Sequence, residues 1–178
     1  MKYYQVNIGG VTADLPIMPL PSGVNIAFFN LHGNVALTEH CGKELAKLLT
    51  GCDVVLTAES KGLQLAHVTA RELGHNFYAV ARKSKKLYMQ DGLEVTIKSS
   101  ITTGNPQKLY LSHQDAELLR GKKVAIVDDV VSTGNSLEGL EEIVKLAGGI
   151  MQKKAFVLAE GKAAERKDIC YLGVIPLL

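Results

Sequence analysis

The stretch VAIVDDVVSTGNS, residues 124–136, decides the fold. Its apolar start, residues 124–127, is typical of a parallel strand that is buried on both faces. Asp128 and Asp129 follow where we expect this strand to end, and a small hydroxyl-rich turn comes after them. Beyond the turn, apolar residues recur at helical spacing through residue 147, so the turn is predicted to open a helix.

This strand–turn–helix segment predicts a site for a sugar phosphate. Such a turn directs several backbone N–H groups and the positive end of the helix dipole at one point, which suits a phosphate monoester. Carboxylates are poor ligands for phosphate, but they accept hydrogen bonds from the hydroxyl groups of an attached ribose. The segment is neither a Walker A loop nor a Gly-x-Gly-x-x-Gly fingerprint. A buried strand with an Asp-capped helix is the structural alternative, and adjacent acids before Ser-Thr-Gly are uncommon in a merely structural turn.

The same thirteen residues resemble the ribose-phosphate motif of the type I phosphoribosyltransferases, in which an apolar strand, Asp-Asp and a Thr-Gly turn follow one another. The resemblance implies that Asp128 and Asp129 address the ribose hydroxyls of phosphoribosyl pyrophosphate. It places the 5-phosphate on the turn, at Ser132, Thr133, Gly134, Asn135 and Ser136. Asp129 is our first candidate for assisting the ribose or the base proton, with Asp128 beside it as a second catalytic candidate.

A second strand–loop–helix segment spans residues 53–73, and its loop is Ala-Glu-Ser-Lys-Gly, residues 58–62. Open α/β sheets bind ligands where such loops meet, at the carboxyl ends of parallel strands. The loop resembles the pyrophosphate loop of the purine phosphoribosyltransferases, with Glu59, Ser60 and Lys61 where adenine enzymes carry Glu-Ala-Arg. The charge is kept, but the planar bidentate guanidinium is lost. A strained or cis peptide is common in this loop of the family, and we expect one near Ser60.

A third predicted strand, residues 77–81, runs into Arg82-Lys83-Ser84-Lys85-Lys86. A run of charges is usually a solvated surface. This one follows a strand's carboxyl end, where both loops also point, and that position favours neutralisation of a diphosphate. The run resembles the Arg-Lys-x-x-Lys of adenine and xanthine phosphoribosyltransferases. Arg82 and Lys83 are therefore predicted to bind pyrophosphate, Lys83 also as a catalytic residue, and Lys86 is a looser candidate.

Two further segments are predicted to cover the site. Residues 86–112 alternate between apolar and polar around a polar stretch at 99–107, which indicates a long hairpin. In the family this hairpin is a flap that closes over the active site and excludes water. Residues 1–34 resemble the N-terminal hood that closes over the base. Phe28, Phe29 and Asn30 are the candidates for base contacts, with Phe29 and Asn30 preferred; alternatively, the two rings belong to the core and Asn30 to the entry of a helix.

The identity of the base stays open at this point. Glu160 follows a predicted strand, and a carboxylate alone prefers a donor such as the exocyclic amine of adenine. A nearby cation, Lys162, would suit the carbonyls of xanthine or hypoxanthine, and a solvated loop acid is the structural alternative for Glu160. The Leu-Glu-Tyr-Gly element of adenine-type flaps is absent, and residues 99–107 are nearer to the xanthine-type flap. Adenine is favoured, and a xanthine- or hypoxanthine-specific enzyme is the alternative.

Composition limits the class of protein. The chain has 178 residues, is 47% hydrophobic and carries 20 basic and 18 acidic residues, so we expect one globular domain and no demand for nucleic acid or an acidic membrane. No signal peptide or membrane-length apolar run is seen. Three scattered cysteines and five histidines show no metal-ligand spacing, which fits reduced thiols in a cytoplasmic protein.

The sequence thus predicts an α/β fold: a mostly parallel sheet flanked by helices, with an N-terminal hood and a β-hairpin flap. The resemblance implies a purine-salvage enzyme that transfers phosphoribose from phosphoribosyl pyrophosphate to N9 of a purine and releases pyrophosphate. It further implies Mg²⁺, held mainly by substrate oxygens with no dedicated protein ligands, and a homodimer. One alternative is a phosphoribosyl-pyrophosphate-sensing regulator of purine genes, for whose DNA-binding domain the chain has no room. An enzyme for orotate or another pyrimidine is disfavoured by the basic run and the hood.

Overall fold

The computed structural model describes residues 2–97 and 107–178. The strands in this part of the chain are β1 (Tyr3–Ile8), β2 (Val11–Pro19), β3 (Asn25–Ala27), β4 (Val54–Ala58), β5 (Ala79–Ala81), β6 (Leu93–Ile97), β7 (Gln107–Leu111), β8 (Lys123–Val131), β9 (Ile150–Glu160) and β10 (Cys170–Ile175). The α-helices are α1 (Val35–Leu48), α2 (Leu63–Glu72), α3 (His113–Leu119) and α4 (Asn135–Leu146). A 3₁₀ helix, Gly161–Glu165, follows β9. No helix of the described ranges combines the length and the apolar character needed to cross a bilayer.

The core is a five-stranded parallel sheet in the order β10-β9-β8-β4-β5. Side chains of its central strands alternate between two apolar layers, as the unbroken apolar run at residues 124–127 predicts. Val124 and Ile126 pack with α3, α4 and the β6–β7 hairpin, whereas Ala125 and Val127 pack with α1, α2 and the hood. The predicted α/β class with a mostly parallel sheet is confirmed.

Strand β8 is longer than the sequence predicts, and this extension places the acid pair. We expected the strand to end before Asp128, but it continues to Val131 because β9 pairs with it as far as Val131 opposite Ala159. On its other side, β8 pairs with β4 only as far as Ile126 opposite Leu56. The two strands therefore part beyond Ile126, and the acids lie on a strand that has lost one of its neighbours. This opening is the cleft in which the site is built.

The hood is an antiparallel sheet of β1, β2 and β3. Strand β2 runs through Pro16 to Pro19. Pro16 joins the sheet through its carbonyl, which accepts a hydrogen bond from the Phe28 N–H at 2.9 Å, so the missing proline N–H costs no bond there. The hood is attached to the core at Ile8, whose carbonyl oxygen lies 2.8 Å from His40 Nε2.

The predicted flap is an antiparallel hairpin of β6 and β7, in which Leu93 pairs with Leu111 and Ile97 with Gln107. Ile97 and Leu109 pack directly against α4, where a Cβ on Gly139 would lie 2.9 Å and 3.1 Å from them. The base of the hairpin is thus part of the core. The polar stretch predicted for its tip, residues 99–107, lies outside the described residues except for Gln107.

Candidate functional site

The turn after β8 is predicted to bind a phosphate, and its backbone has a geometry that suits an anion. Gly134 adopts φ +88°, a left-handed conformation that favours glycine, and α4 begins at the next residue. The first N–H groups of α4 have no partners within the helix and point out of its N-terminus. Ser132, Thr133 and Ser136 of the turn are exposed, and together with Asp128 they line a cavity of about 150 Å³. The structure thus brings the predicted phosphate turn and one predicted ribose-binding acid, Asp128, to a single cavity.

One oxygen of each carboxylate in the acid pair is held by the backbone of β8. Asp128 Oδ1 accepts a hydrogen bond from the Asp129 N–H at 2.9 Å, and Asp129 Oδ1 accepts one from the Val130 N–H at 2.8 Å. Asp129 is only 6% exposed, and its Oδ2 has no hydrogen-bond partner among the described residues. That oxygen remains available as an acceptor, and a buried unpaired acceptor is costly unless a ligand engages it.

The surroundings of the acid pair favour its protonated form. Burial, and then the negative charge of Asp129, raise the pKa of Asp128 to about 8. Burial also raises the pKa of Asp129, while the nearby Lys61 ammonium opposes that rise. Two acids this close resist losing both protons, so the pair can retain a proton near neutral pH.

The loop after β4 faces the acid pair across the cleft. The peptide between Glu59 and Ser60 is cis, which confirms the expected special backbone near Ser60. Gly62 is needed for the approach, because a Cβ there would lie 2.2 Å from Thr57 Oγ1 and 2.9 Å from Asp128 Oδ1. Lys61 Nζ lies 3.9 Å from Asp129 Oδ2. The two predicted anion loops are therefore neighbours in space, although about seventy residues separate them in the sequence.

Glu59 organises the basic segment after β5. Its Oε1 accepts a hydrogen bond from the Lys83 N–H at 2.7 Å, and its Oε2 forms an ion pair with Arg82 Nε at 3.0 Å. We predicted Glu59 as part of the pyrophosphate site, and its carboxylate is instead occupied with holding the two predicted pyrophosphate-binding cations. An acid would repel a diphosphate directly, so its contribution is to position Arg82 and Lys83.

The basic segment also meets the base of the hairpin. Arg82 and Tyr110 exchange two backbone hydrogen bonds, each of 2.8 Å. Lys83 lines a cavity of about 390 Å³ together with Ala58, Ser136 and strand β7. Lys86 does not line this cavity and lies in a turn that the Met89 N–H closes onto its carbonyl at 3.0 Å. Lys83 is thus the cation of the segment that shares a cavity with the phosphate turn.

The aromatic residue that faces the cleft is Phe28, and our preference for Phe29 needs correction. Phe29 is 3% exposed and packs in the core, whereas Phe28 is 36% exposed and its ring centre lies 4.9 Å from Lys61 Nζ. Asn30 is exposed, and its Oδ1 accepts a hydrogen bond from the His32 N–H at 3.1 Å. Glu160 is half-buried at the end of β9, on the same carboxyl edge of the sheet.

Two residues of the site were missed by the sequence analysis. Thr57, whose hydroxyl is buried with no hydrogen-bond partner in the described part of the chain, underlies the loop at Gly62. Arg166 lies beside Gly134, where its Nη1 is 2.9 Å from the position of a glycine Cβ. Neither residue belongs to a motif that can be recognised in the sequence. Only the three-dimensional arrangement shows that both lie near the predicted anion loops.

The donor set fits Mg²⁺ that takes most of its ligands from a substrate. Within residues 2–97 and 107–178, no group of three or more His, Cys, Asp or Glu side chains is arranged to hold a metal ion. Asp128 and Asp129 offer hard carboxylate oxygens, and Asp129 Oδ2 lacks a hydrogen bond among those residues. Mg²⁺ is commonly bound by one or two carboxylates together with substrate phosphates and water, and these two side chains match that pattern.

Comparison with known proteins agrees with this geometry. The profile of the phosphoribosyl transferase domain matches residues 32–175. A xanthine phosphoribosyltransferase of Exiguobacterium sp. is 32% identical over 148 residues, which cover 79% of this chain and 75% of the relative. A xanthine phosphoribosyltransferase of Bacillus cereus is 33% identical over 138 residues, covering 73% of this chain and 68% of the relative.

Two solved structures of similar fold are those of adenine phosphoribosyltransferases. The crystal structure of the enzyme from Thermoanaerobacter pseudethanolicus matches with a TM-score of 0.69 at 23% identity, over 91% of this chain and 94% of that one. The enzyme from Giardia lamblia, solved with 9-deazaadenine, matches with a TM-score of 0.68 at 17% identity, over 91% and 92% of the two chains. At sequence identities this low, the similarity to these two structures shows a shared fold only.

Proposed function

The chain belongs to the type I phosphoribosyltransferase family, in its purine branch, and from this premise we propose that it joins phosphoribose to N9 of a 6-oxopurine, xanthine first. The reaction consumes phosphoribosyl pyrophosphate and releases pyrophosphate. The observation that carries the proposal is the meeting of two anion-binding loops at one acid pair, with Lys61 Nζ 3.9 Å from Asp129 Oδ2. A ribose that bears a phosphate at one end and a diphosphate at the other needs this arrangement.

Positioning is the first contribution of the site. The turn at Ser132–Ser136 holds the 5-phosphate, and Lys61, Arg82 and Lys83 bind the diphosphate. With both ends of the sugar fixed, C1 is presented to the base in line with the departing pyrophosphate. The entropy of bringing the reactants together is then lost during substrate binding and not in the chemical step. The ribose hydroxyls donate hydrogen bonds to Asp128 and Asp129, whose second oxygens are held by the backbone of β8.

Electrostatic stabilisation is the second contribution. As the C1–O bond breaks, negative charge moves onto the diphosphate, where the cations of the site stabilise it more strongly than in the ground state. Glu59 keeps Arg82 and Lys83 in place for this step through its two contacts. When bound, Mg²⁺ neutralises part of the diphosphate charge. The β6–β7 hairpin contributes to the cavity that Lys83 and Ser136 line, and it limits the access of water to C1.

The preference for a 6-oxopurine rests on Asn30. Because a backbone N–H can only donate, the Asn30 oxygen must face the His32 N–H, and this leaves the amide NH₂ as the group that can reach a ligand. A donor at the base edge suits a purine carbonyl. The two relatives described above, each more than 30% identical, are xanthine phosphoribosyltransferases, which agrees with that choice.

Adenine is the second candidate base, and Glu160 supports it. Its carboxylate lies at the carboxyl edge of the sheet without a lysine as the next residue, since Gly161 follows it and the cation comes only at Lys162. A carboxylate accepts hydrogen bonds, so it would favour the exocyclic amine of adenine over a carbonyl.

Steady-state kinetics with five bases tests both parts of the proposal. Purified protein, phosphoribosyl pyrophosphate and Mg²⁺ are combined with xanthine, hypoxanthine, guanine, adenine or orotate, and kcat/KM is obtained from pyrophosphate release, because discrimination resides in that ratio. We expect xanthine to rank first and Asn30→Ala to reduce kcat/KM for xanthine more than for adenine. Adenine in first place, with Glu160→Ala reducing it, would instead establish the second candidate. Turnover of orotate alone, or of no base, would overturn the proposed function.

Assembly, location and domain number remain predictions from the sequence. A homodimer is expected from the resemblance, whereas composition predicts a cytoplasmic location and a single folded domain over residues 1–178. Sedimentation equilibrium measures the oligomeric state directly. A single cooperative unfolding transition would agree with one folded domain.

A further inference from the structure

Arg166 is a cation that lies beside the phosphate turn without belonging to its motif. It follows the 3₁₀ helix that ends at Glu165, and 32 residues separate it from Gly134. A Cβ built on Gly134 would lie 2.9 Å from Arg166 Nη1. The guanidinium therefore borders the backbone whose N–H groups face the proposed 5-phosphate. The turn itself, Ser132–Ser136, contains no positively charged residue.

The orientation of this guanidinium is set by an acidic partner on the far side. Asp168 accepts hydrogen bonds from Arg166 Nε at 3.0 Å and from Nη2 at 2.7 Å. Asp168 Oδ2 also accepts one from Lys154 Nζ at 2.7 Å, and Lys154 in turn pairs with Glu141 of α4. Because the guanidinium is planar, this two-point contact fixes its third nitrogen in the direction of Gly134.

The position is electrostatically unusual for a cation. A positive charge at the N-terminus of a helix is repelled by the helix dipole, since anions are the groups stabilised there. Glu138 and Glu141, further along α4, attract Arg166 and offset part of that repulsion. A phosphate on the turn would change the local balance, because Arg166 would then face a dianion directly.

We propose that Arg166 binds the 5-phosphate of the substrate, its Nη1 donating a hydrogen bond to a phosphate oxygen that the turn holds from the other side. This inference rests on the proposed function and adds to it a ligand that the ribose-phosphate motif lacks. Asp168 acts through Arg166 as a positioning residue, and Lys154 steadies Asp168 from β9. Recognition of the 5-phosphate thus draws on β8, α4 and the segment after β9.

Two fragments of the substrate separate this role from a general structural one. Ribose 5-phosphate probes the turn, and pyrophosphate with Mg²⁺ probes the other end of the site; calorimetry gives the dissociation constant of each. For Arg166→Met we expect the constant for ribose 5-phosphate to rise by about tenfold or more, as loss of a charged hydrogen bond implies. The constant for pyrophosphate should change less than about twofold, since that end of the site is untouched. Lys167→Met, which removes an exposed neighbouring cation, is the matched control and should leave both constants unchanged.

The outcomes separate the two proposals. Wild-type protein that binds neither fragment would overturn the proposed function and this inference with it. If the wild type and Arg166→Met bind ribose 5-phosphate with equal affinity, the role of Arg166 is wrong and the proposed function still stands. If Arg166→Met does not fold, Arg166→Lys and Asp168→Asn decide: both should weaken ribose 5-phosphate selectively. Unchanged affinity in both, or an equal loss for both fragments, would contradict the role of Arg166.

Discussion

Lys61 Nζ lies 3.9 Å from Asp129 Oδ2, so an ion pair links the loop after β4 to the acid pair of β8 across the cleft that opens between the two strands. Asp129 is buried, but the Lys61 side chain is 44% exposed and also lies over the ring of Phe28. Lys61 can therefore exchange partners without disturbing the core. An incoming diphosphate offers Lys61 more negative charge than the Asp129 carboxylate does, so Lys61 can move from the acid to the substrate.

Replacing Lys61 by Met should lower kcat for phosphoribosyl transfer by about a hundredfold, the scale expected when one charge-stabilising donor is removed. It should also raise the pKa of Asp129 further, because the Lys61 charge is the largest of the influences that oppose the effect of burial. The pH–rate profile, measured with the wild type in parallel, reports both changes. Lys61→Arg should retain most of the activity, and Lys122→Met, at the opposite edge of the sheet, should behave like the wild type. Equal losses in Lys61→Met and Lys122→Met would contradict the assigned role.

Glu59 is predicted to act by position rather than by contact with substrate. In Glu59→Gln the amide oxygen can still accept the Lys83 N–H, but the attraction to Arg82 is lost; Glu59→Ala removes both. We expect about a tenfold fall in kcat/KM for phosphoribosyl pyrophosphate in the first variant and a larger fall in the second. Glu39→Gln, which loses a comparable pair with Arg71 on the surface, is the control and should retain activity. A Glu59→Ala variant with normal kinetics would exclude this role.

Asp128 should make stability depend on pH. Its pKa is about 8 in the folded chain against an ordinary 3.8, so between these values the folded state retains a proton that the unfolded state has lost. Stability must therefore fall as pH rises from about 4 to about 8, because folding there has to take up a proton. Asp128→Asn removes this dependence and should stabilise the fold, by at least about 1 kcal/mol more at pH 8 than at pH 5. Urea denaturation at the two pH values measures it, and an equal effect at both would show that the group titrates normally.

A side chain at Gly62 should destabilise the fold because it would clash with the Thr57 hydroxyl. Its φ of −81° is ordinary, so the penalty of Gly62→Ala is steric: the new methyl group would lie 2.2 Å from Thr57 Oγ1. We expect a loss of about 1–3 kcal/mol in the free energy of unfolding, typical of overpacking. Thr57→Ala in the same chain removes the blocking oxygen and should recover part of that loss. A double-mutant cycle with no coupling between the two sites would contradict the predicted clash.

Local pattern was sufficient wherever one segment determines its own structure. The apolar run at 124–127 predicted a strand buried on both faces, which the structure has. The unusual peptide near Ser60, which is cis, was expected from the resemblance of its loop to the pyrophosphate loop of the family. The predictions that were wrong concern features set by residues that are distant in sequence. The length of β8 beyond Asp128 is decided by its pairing with β9, and no local signal reports that pairing. Likewise, alternation separates Phe28 from Phe29, but only the packed core shows which of the two faces inward.

The placement of the hood has a consequence for protein engineering. The groups assigned to the sugar and its two anions lie on β8, on the loops that follow β4, β5 and β8, and, for Arg166, after β9, whereas Phe28 and Asn30 follow β3, the last strand of a separate antiparallel sheet. That sheet joins the core through contacts that can be preserved in a graft, such as the Ile8 carbonyl at His40 and the backbone pairing of Asn25 with Leu178. The hood is therefore an exchangeable part: replacing it would redirect the catalyst to other heterocycles while the phosphoribose-handling machinery stays as it is.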